Sequence, residues 1–549
     1  MNKFFTNKFA YIRDYFISIL KQENGKYSVE ILISALLFTF SVLYLRSIYS
    51  FPRGQLGISI IIAAIGFFWK NGCSRLFLIA AIPLLASDNA IEDTSLIISI
   101  YILLRALKLL RISNIVALTF IALIYLSWIK VLNTQIGITG FDLRAFAFSI
   151  LMDMIYAYQA EVIIMMIILV TLYFGLSRKI YDYKSANKTY ILYNKNTRIL
   201  ISSIGLTITL LFGLNHDAHE VMTGKTIIAS LKGIRPEVFS LNADQKILFQ
   251  NMTQITTSCP NTRKNLFLVL EESTFFDGSD HSFFFGNSHG RLNVNTFGGQ
   301  TWLAEFSLMN GLPHTIFNAG EYATFTSINK LFIGLPSRLS KCGYRSIAFI
   351  PTSMDFVNSG NWYKSLGFDE VVSIRDHGLK AFNTSDSEIF DFALAKVNRE
   401  SEPLFIYLLT INQHGPHDRF KPMDDYKTRL GNSADAFHAL KQKLDTKEWI
   451  LGWFGDHRPA FTKDMPDQFK TWFSIFDDSR ASSNQEIDIS FLNDLILKKM
   501  NFDDSISKER SIMIKDCELS SFSTCSKESL DRFISFLVAS KLLILENHH

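Results

Sequence analysis

Apolar positions fall into two regimes along the chain. Up to residue 214 they form long runs, near 29 to 47, 57 to 69, 76 to 87, 94 to 104, 113 to 129, 160 to 176 and 199 to 214. Such runs read as bilayer-spanning helices, which need about 20 apolar residues, and the second to fourth are short for that. Beyond residue 264 the runs shrink to strand length: Leu266 to Leu270, Ser346 to Ile350, Leu404 to Thr410 and Ile450 to Phe454. The segments between them are long enough for helices, so the pattern predicts a largely parallel α/β sheet. Residues 215 to 264 are mixed and read as a juxtamembrane linker.

Charge gives the apolar runs a direction. Residues 1 to 214 hold 20 Lys+Arg against 10 Asp+Glu, whereas residues 215 to 549 hold 35 against 41. Lys3, Lys8, Arg13, Lys21 and Lys26 precede the first run, and Arg178, Lys179, Lys184, Lys188, Lys195 and Arg198 precede the last. Both flanks therefore belong in the cytoplasm, and the span count is odd. Seven spans put Lys70, Arg75, Arg105, Lys108 and Arg111 inside and Asp88, Glu92 and Asp93 outside; five is the alternative. The expected organisation is an amphipathic cytoplasmic segment (1–28), a transmembrane domain (29–214), the linker (215–264) and an extracytoplasmic catalytic domain (265–549).

Residues 4 to 20 are patterned to lie on the membrane or to pack on the first span. The first run starts at Val29 and reads as a signal anchor, not a cleaved leader. Overall, 48% of residues are hydrophobic and only 19% charged, against about 25% charged in soluble proteins. The acidic outer half has no basic stripe with interleaved aromatics, which excludes a nucleic-acid partner. Of the cysteines, Cys259, Cys342, Cys517 and Cys525 fall outside and permit two disulfides, with Cys517 and Cys525 closest in sequence. Free buried thiols are the other reading.

Candidate chemistry lies at the strand ends. Leu266 to Leu270 runs into Glu271, Glu272 and Ser273; Leu404 to Thr410 into Asn412, Gln413 and His414; Ile450 to Phe454 into Gly455, Asp456 and His457. Each alone is an ordinary turn residue. Together they bring oxygen and nitrogen ligands suited to Zn²⁺ or Mn²⁺ to one sheet edge, where parallel sheets carry their sites. Alternation along the first strand turns Glu271 to the opposite face. Gly298-Gly299-Gln300-Thr301 precedes Trp302, Leu303, Phe306 and Met309 at helical spacing, which places Thr301 in the first turn of a helix. Alone, Thr301 would be an N-cap; beside a dication its hydroxyl becomes a nucleophile.

Taken in order, Glu272-Ser273, Gly-Gly-Gln-Thr301 with Ala-Glu-Phe following, His414-Gly-Pro and Gly-Asp456-His457 resemble the alkaline-phosphatase-like (sulfatase-fold) membrane transferases. These include lipoteichoic acid synthases, phosphoglycerol transferases and phosphoethanolamine transferases. The resemblance covers roughly residues 265 to 480. It implies one divalent metal, Zn²⁺ or Mn²⁺, held by Glu272, Thr301, Asp456 and His457, with Thr301 also the nucleophile. His414 is implied to contact the donor phosphate or to act as acid and base. The implied reaction is ping-pong: Thr301 attacks the phosphorus of a phospholipid head group, diacylglycerol leaves, and an acceptor hydroxyl displaces the phospho-threonine. The implied place is the bacterial inner (plasma) membrane, multi-pass, with the catalytic domain on the periplasmic or extracellular side.

Departures from the family pattern shape the substrate reading. Lipoteichoic acid synthases read glycerol phosphate with a Trp and an Arg before Tyr-Lys-Ser-Leu-Gly; here Phe356-Val357-Asn358-Ser359 stands before Tyr363-Lys364-Ser365-Leu366-Gly367. Loss of the planar arginine fork weakens that reading. Trp362 reads as a core residue. The segment after His457 (KDMPDQFKTW) has no further histidine for a second metal. Cys259-Pro260-Asn261-Thr262-Arg263 imitates a sulfatase signature but lies before the first strand. His281, His289, His417 and His438 read as surface or loop histidines, and Glu305 is ambiguous. The resulting expectation is transfer of phosphoethanolamine from a phospholipid donor to a cell-envelope glycan or lipid acceptor. Phosphoglycerol transfer from phosphatidylglycerol and phosphodiester hydrolysis are the alternatives. A non-catalytic relative of the fold would lack a ligand, and none is lacking.

Overall fold

The computed structural model describes residues 36–39, 41, 60–63, 76–81, 90–107, 109–134 and 159–177 of the amino-terminal half. Beyond it are described 257–275, 286–314, 322–328, 334–379, 384–397, 402–415, 417–418, 421–444, 448–462, 465–467, 469–478, 483–504, 506, 508–510 and 531–533. The chain divides into two compact units, Met1–Val131, Ile136–Ile138 and Tyr158–Ala229 in one, and Leu132–Gln135, Thr139–Ala157 and Ser230–His549 in the other.

Three of the seven apolar runs are described whole, and all three are helical: α1 (Ala90–Ala106), α2 (Leu110–Thr134) and α3 (Gln159–Ser177). The Tyr125 hydroxyl of α2 donates to the Glu161 carbonyl of α3 at 3.2 Å. Helix α3 is apolar all round. Ile164, Ile168, Leu172 and Leu176 are buried along one side, while Ile163, Met166, Val170 and Tyr173 on the other are 47% to 57% exposed. Among the described residues no helix is long and apolar enough to cross a membrane. Residues 4–20, Cys73, Cys517, Cys525, His281 and positions 199–256 lie outside the described residues.

The second unit opens with β1 (Thr257–Ser258), β2 (Asn265–Glu271) and β3 (Ser288–Asn293), then α4 (Thr301–Asn310), α5 (Ala323–Thr326) and α6 (Leu335–Ser340). β4 (Arg345–Ile350) leads through α7 (Ser359–Ser365) to β5 (Glu370–Ser373), and α8 (Asp386–Val397) leads to β6 (Leu404–Leu409). The long α9 (Pro422–Lys443) precedes β7 (Trp449–Gly455), β8 (Lys470–Phe476), β9 (Ser483–Asp488), α10 (Ile489–Lys499) and β10 (Asp503–Asp504). β1 and β10 pair antiparallel. The other eight form one sheet in the order β5-β4-β6-β2-β7-β8-β3-β9, parallel from β5 through β7, with β8 antiparallel to both neighbours.

The four expected strands are β2, β4, β6 and β7, each within a residue of its expected ends. They are the centre of the sheet and are covered on both faces, which is why they read as unbroken apolar runs. Along β2, Leu266, Leu268 and Leu270 join one core with Phe306 of α4 and Leu492 of α10. Phe267 and Val269 join the other with Ile389 of α8 and Phe437 of α9. Cys259 is bonded to Cys342, 83 residues later, and this covalent tie fastens the approach to β2 to the turn before β4. The sequence-nearest pair, Cys517 and Cys525, is not this one. A bonded Cys259 also has no thiol to offer as a sulfatase-type nucleophile.

Candidate metal and nucleophile site

Register delivers the chemistry. Glu271 lies opposite Gly455 across β2 and β7, and the Thr410 amide donates to the Leu270 carbonyl at 3.0 Å. The three central strands β6, β2 and β7 therefore end level, with His414, Glu272 and the Asp456-His457 pair just beyond. Thr301 arrives from elsewhere: Gly298 and Gly299 both take positive φ (48° and 52°), and the Gly298 amide donates to the Arg458 carbonyl at 3.3 Å. A left-handed pair of this kind suits glycine, and it sets the first turn of α4 against the end of β7.

Four donor atoms converge. Thr301 Oγ1 donates to Glu272 Oε2 at 2.9 Å and lies 3.4 Å from His457 Nε2. The same nitrogen is 3.2 Å from Glu272 Oε1 and 3.2 Å from Asp456 Oδ2. Among the described residues, Glu272, Asp456 and His457 are the one buried acid and imidazole group with ligand atoms all within 4.8 Å of one another. His457 Nδ1 is 3.1 Å from the Arg458 carbonyl, which it can meet only as a donor, so Nε2 is the nitrogen aimed into the site and would offer a cation its lone pair once its proton is displaced.

Neighbours hold the ligands in place. Ser273 adopts φ 54°, rare for a residue with a side chain. From there its amide donates to Asp456 Oδ1 at 2.8 Å, and its hydroxyl donates to Glu272 Oε1 at 2.7 Å. The His457 amide also donates to Asp456 Oδ1, at 2.8 Å, and the Glu272 amide donates to Thr410 Oγ1 at 3.1 Å. Asp456 Oδ1 is thus doubly bonded, while the buried Oδ2 has no hydrogen-bond donor of its own. Its polar neighbour is His457 Nε2 at 3.2 Å, an ion-pair approach without a hydrogen bond; a buried carboxylate oxygen so under-satisfied is costly, and a cation at this point would satisfy it. The donor set and this under-satisfied oxygen fit Zn²⁺ or Mn²⁺.

The electrostatics agree. Burial raises Glu272, but the charge and hydrogen bond of His457, the charge of His414 and the Ser273 bond outweigh it and hold the carboxyl at about 2. Asp456 is pushed up to about 8, by burial first and then by the Glu272 charge. Burial lowers His457, but the Asp456 and Glu272 charges carry it up to about 9. Asp456 and His457 therefore retain protons near neutral pH that a dication would displace, while Glu272 beside them is already ionised.

His414 stands at the rim. Its Nδ1 is 2.6 Å from the Gly415 carbonyl, its own carbonyl accepts from Arg429 Nη1 at 2.9 Å, and its charge acts on Glu272. Arg429 is paired with Asp425, one helical turn earlier on α9, at 2.9 Å. The other histidines stay apart from the ligand set. His289 Nδ1 meets the Gly286 carbonyl, His438 meets Gln442 on α9, and His417 packs against Tyr426 and Phe461 with burial lowering it to about 4. Trp362 is fully buried and donates to Ser327 Oγ at 3.1 Å, a core residue. Glu271 does turn to the other face, buried near Asp386 and Ser433. Ser273, Thr410 and Arg429 were not singled out as ligand holders by sequence, because each acts through its backbone position or its register.

The Sulfatase family model matches residues 264–475, a segment that contains Glu272, Thr301, Asp456 and His457. An uncharacterised protein of Haemophilus influenzae is 24% identical over 351 residues, 52% of this chain and 63% of that protein. The match thus spans less than two thirds of its relative. Among solved structures, phosphoglycerol transferase GacH of Streptococcus pyogenes is similar at 16% identity and TM-score 0.41, covering 54% of this chain and 89% of its own. The integral membrane lipooligosaccharide phosphoethanolamine transferase EptA of Neisseria meningitidis is similar at 9% identity and TM-score 0.47, covering 86% and 96%.

Proposed function

We propose that this chain is a membrane-anchored, metal-dependent phosphotransferase that moves phosphoethanolamine from a phospholipid to a cell-envelope glycan or lipid through a phospho-Thr301 intermediate. The observation that carries the reading is the convergence of the Thr301 hydroxyl with Glu272, Asp456 and His457 at the end of the central strands. A hydroxyl so placed belongs to a nucleophile, because an N-cap would bond its own helix.

In this reading Glu272, Thr301, Asp456 and His457 hold one Zn²⁺ or Mn²⁺, which when bound lowers the hydroxyl pKa and offsets charge on the phosphoryl oxygens. Glu272 Oε2 accepts the Thr301 hydroxyl bond and orients Oγ1; the hydroxyl proton passes to solvent before attack, and Oγ1 is released again as the alkoxide at the end of the cycle. The new bond is Oγ1 to phosphorus, and the bond that breaks joins phosphorus to the diacylglycerol oxygen. His414 gives that oxygen its proton, the acid and base role that the family resemblance implies for it, with its ring oriented by the 2.6 Å approach of Nδ1 to the Gly415 carbonyl. The first turn of α4 has amides without partners inside the helix, which favour the anionic phosphoryl group. An acceptor hydroxyl then loses its proton to His414, bonds to phosphorus and releases Oγ1.

A membrane location is supported by the apolar runs, the basic flanks and the uncovered apolar side of α3, which water does not favour and lipid does. An extracytoplasmic domain is supported by the Cys259–Cys342 disulfide, a bond of oxidising compartments. The test is mass spectrometry of the full chain incubated separately with phosphatidylethanolamine and phosphatidylglycerol. Phosphoethanolamine on Thr301 is expected. A phosphoglycerol adduct would reassign the head group, and turnover without any adduct on Thr301 would remove the covalent route.

A further inference from the structure

Glu305 has no part in the chemistry described so far, yet its surroundings are unusual. It lies four residues after Thr301 on α4, so it sits one turn along on the same helix face. It is 4% exposed among apolar side chains. Tyr407 of β6 donates its hydroxyl to Glu305 Oε1 at 2.6 Å, and Tyr363 of α7 donates to the same oxygen. Two donors from two elements on one carboxylate oxygen stabilise the ionised form, in a place where burial alone would neutralise it.

We propose that Glu305 is a positioning residue of the cation site: locked by Tyr363 and Tyr407 beneath Thr301, it adds negative charge to the Glu272, Asp456 and His457 set without touching the cation. The inference rests on the reading of that set as a cation site. Its balance is consistent with the role. Burial raises Glu305, the two tyrosines lower it, the Glu272 charge raises it again, and it settles at about 7. Both tyrosines are raised well above their ordinary value, by burial first and then by the Glu305 charge, so they stay donors. A cation arriving beside Glu272 cancels the repulsion and favours ionised Glu305. Cation uptake near neutral pH should then expel a proton from a residue that is not a ligand.

The experiment is calorimetric titration of the full chain in detergent with ZnCl₂, in two buffers of different ionisation heat, which counts protons released. At pH 6.5, Glu305→Gln should release fewer protons than the native chain, by a fraction of one proton. At pH 8 it should bind zinc more weakly, on the order of tenfold. Tyr407→Phe keeps the carboxylate but removes a donor, so its proton release should shift to higher pH; this variant tests the idea even if Glu305→Gln folds poorly. An unchanged proton count and affinity in Glu305→Gln overturns the inference alone. A native chain that takes up no zinc overturns the cation reading and the inference with it.

Discussion

β2 ends in two carboxylates one residue apart, and the two faces of the sheet treat them in opposite ways. Glu272 faces α4, where His457, His414 and Ser273 outweigh burial and hold it ionised at about 2. Glu271 faces α8 and α9, where burial and then the Asp386 charge raise it well above its ordinary value. Asp386 is itself raised to about 6 by burial, against the bonds it accepts from Ser433 and from the Asn412 and Ile411 amides. One face therefore holds an ionised Glu272 within the proposed cation site, and the other keeps a protonated Glu271 and fastens the segment leading to His414. Residue type is constant; position relative to the pleat decides the chemistry.

The sharpest way to break this contrast is at the face that carries the proposed active site. Thr301→Ala should lower transfer by about a thousandfold or more, with the cooperative thermal transition retained, since loss of a nucleophile removes the covalent route. Glu272→Gln should be nearly as severe and should also lose the metal, read as zinc content after dialysis. Chelation of the native chain should reduce activity to background, with recovery on adding Zn²⁺ or Mn²⁺; activity that survives complete removal, checked by elemental analysis, would contradict the cation role. On the other face the effects should be structural. The Ser433 hydroxyl donates to Asp386 Oδ2, so Ser433→Ala should cost about 1 to 3 kcal/mol in urea unfolding, with a smaller loss of activity.

The smallest effect at neutral pH belongs to Glu271→Gln, which copies the protonated acid and should leave turnover within about twofold. Its signature is in pH dependence. A carboxyl raised above its unfolded value near 4.5 retains its proton when folded, so the native chain loses stability as pH rises from about 4.5. Glu271→Gln should lack that loss and gain on the native chain with increasing pH. The opposite sign applies to Glu272, whose stabilisation is present above about 4.5 and lost as pH falls toward about 2. Parallel melting curves for Glu271→Gln and the native chain across this range would show that the two faces do not differ as described.

The centre of the domain was legible in the sequence because β2, β4, β6 and β7 are covered on both faces and read as apolar runs. The far side of the sheet was not: β3 (SHGRLN) and β9 (SNQEID) carry too few apolar residues to announce a strand, and β8 (KTWFSIF) runs antiparallel to β7, outside the parallel pattern that marked the centre. The site followed the same division. Glu272, Asp456 and His457 stand where a strand stops, and Thr301 follows a glycine pair, so local pattern marked all four. Glu305 looks like any helix glutamate until α7 and β6 bring two tyrosines to it. Ser273 matters through its φ and its amide, and neither is written in residue type. The Cys259–Cys342 bond joins residues 83 apart, and spacing favoured a nearer pair.

That bond has a mechanical consequence. A pull arriving along the chain from the amino-terminal side reaches Cys259 six residues before β2 begins, and there it passes covalently to Cys342, at the approach to β4. Tension is thus shared by two positions of the domain before it can act on β2 itself. The strand that leads to Glu272 is thereby shielded from tension in the preceding chain, and in the membrane-anchored protein proposed above this would keep ångström-scale spacing in the site independent of how hard that anchor tugs.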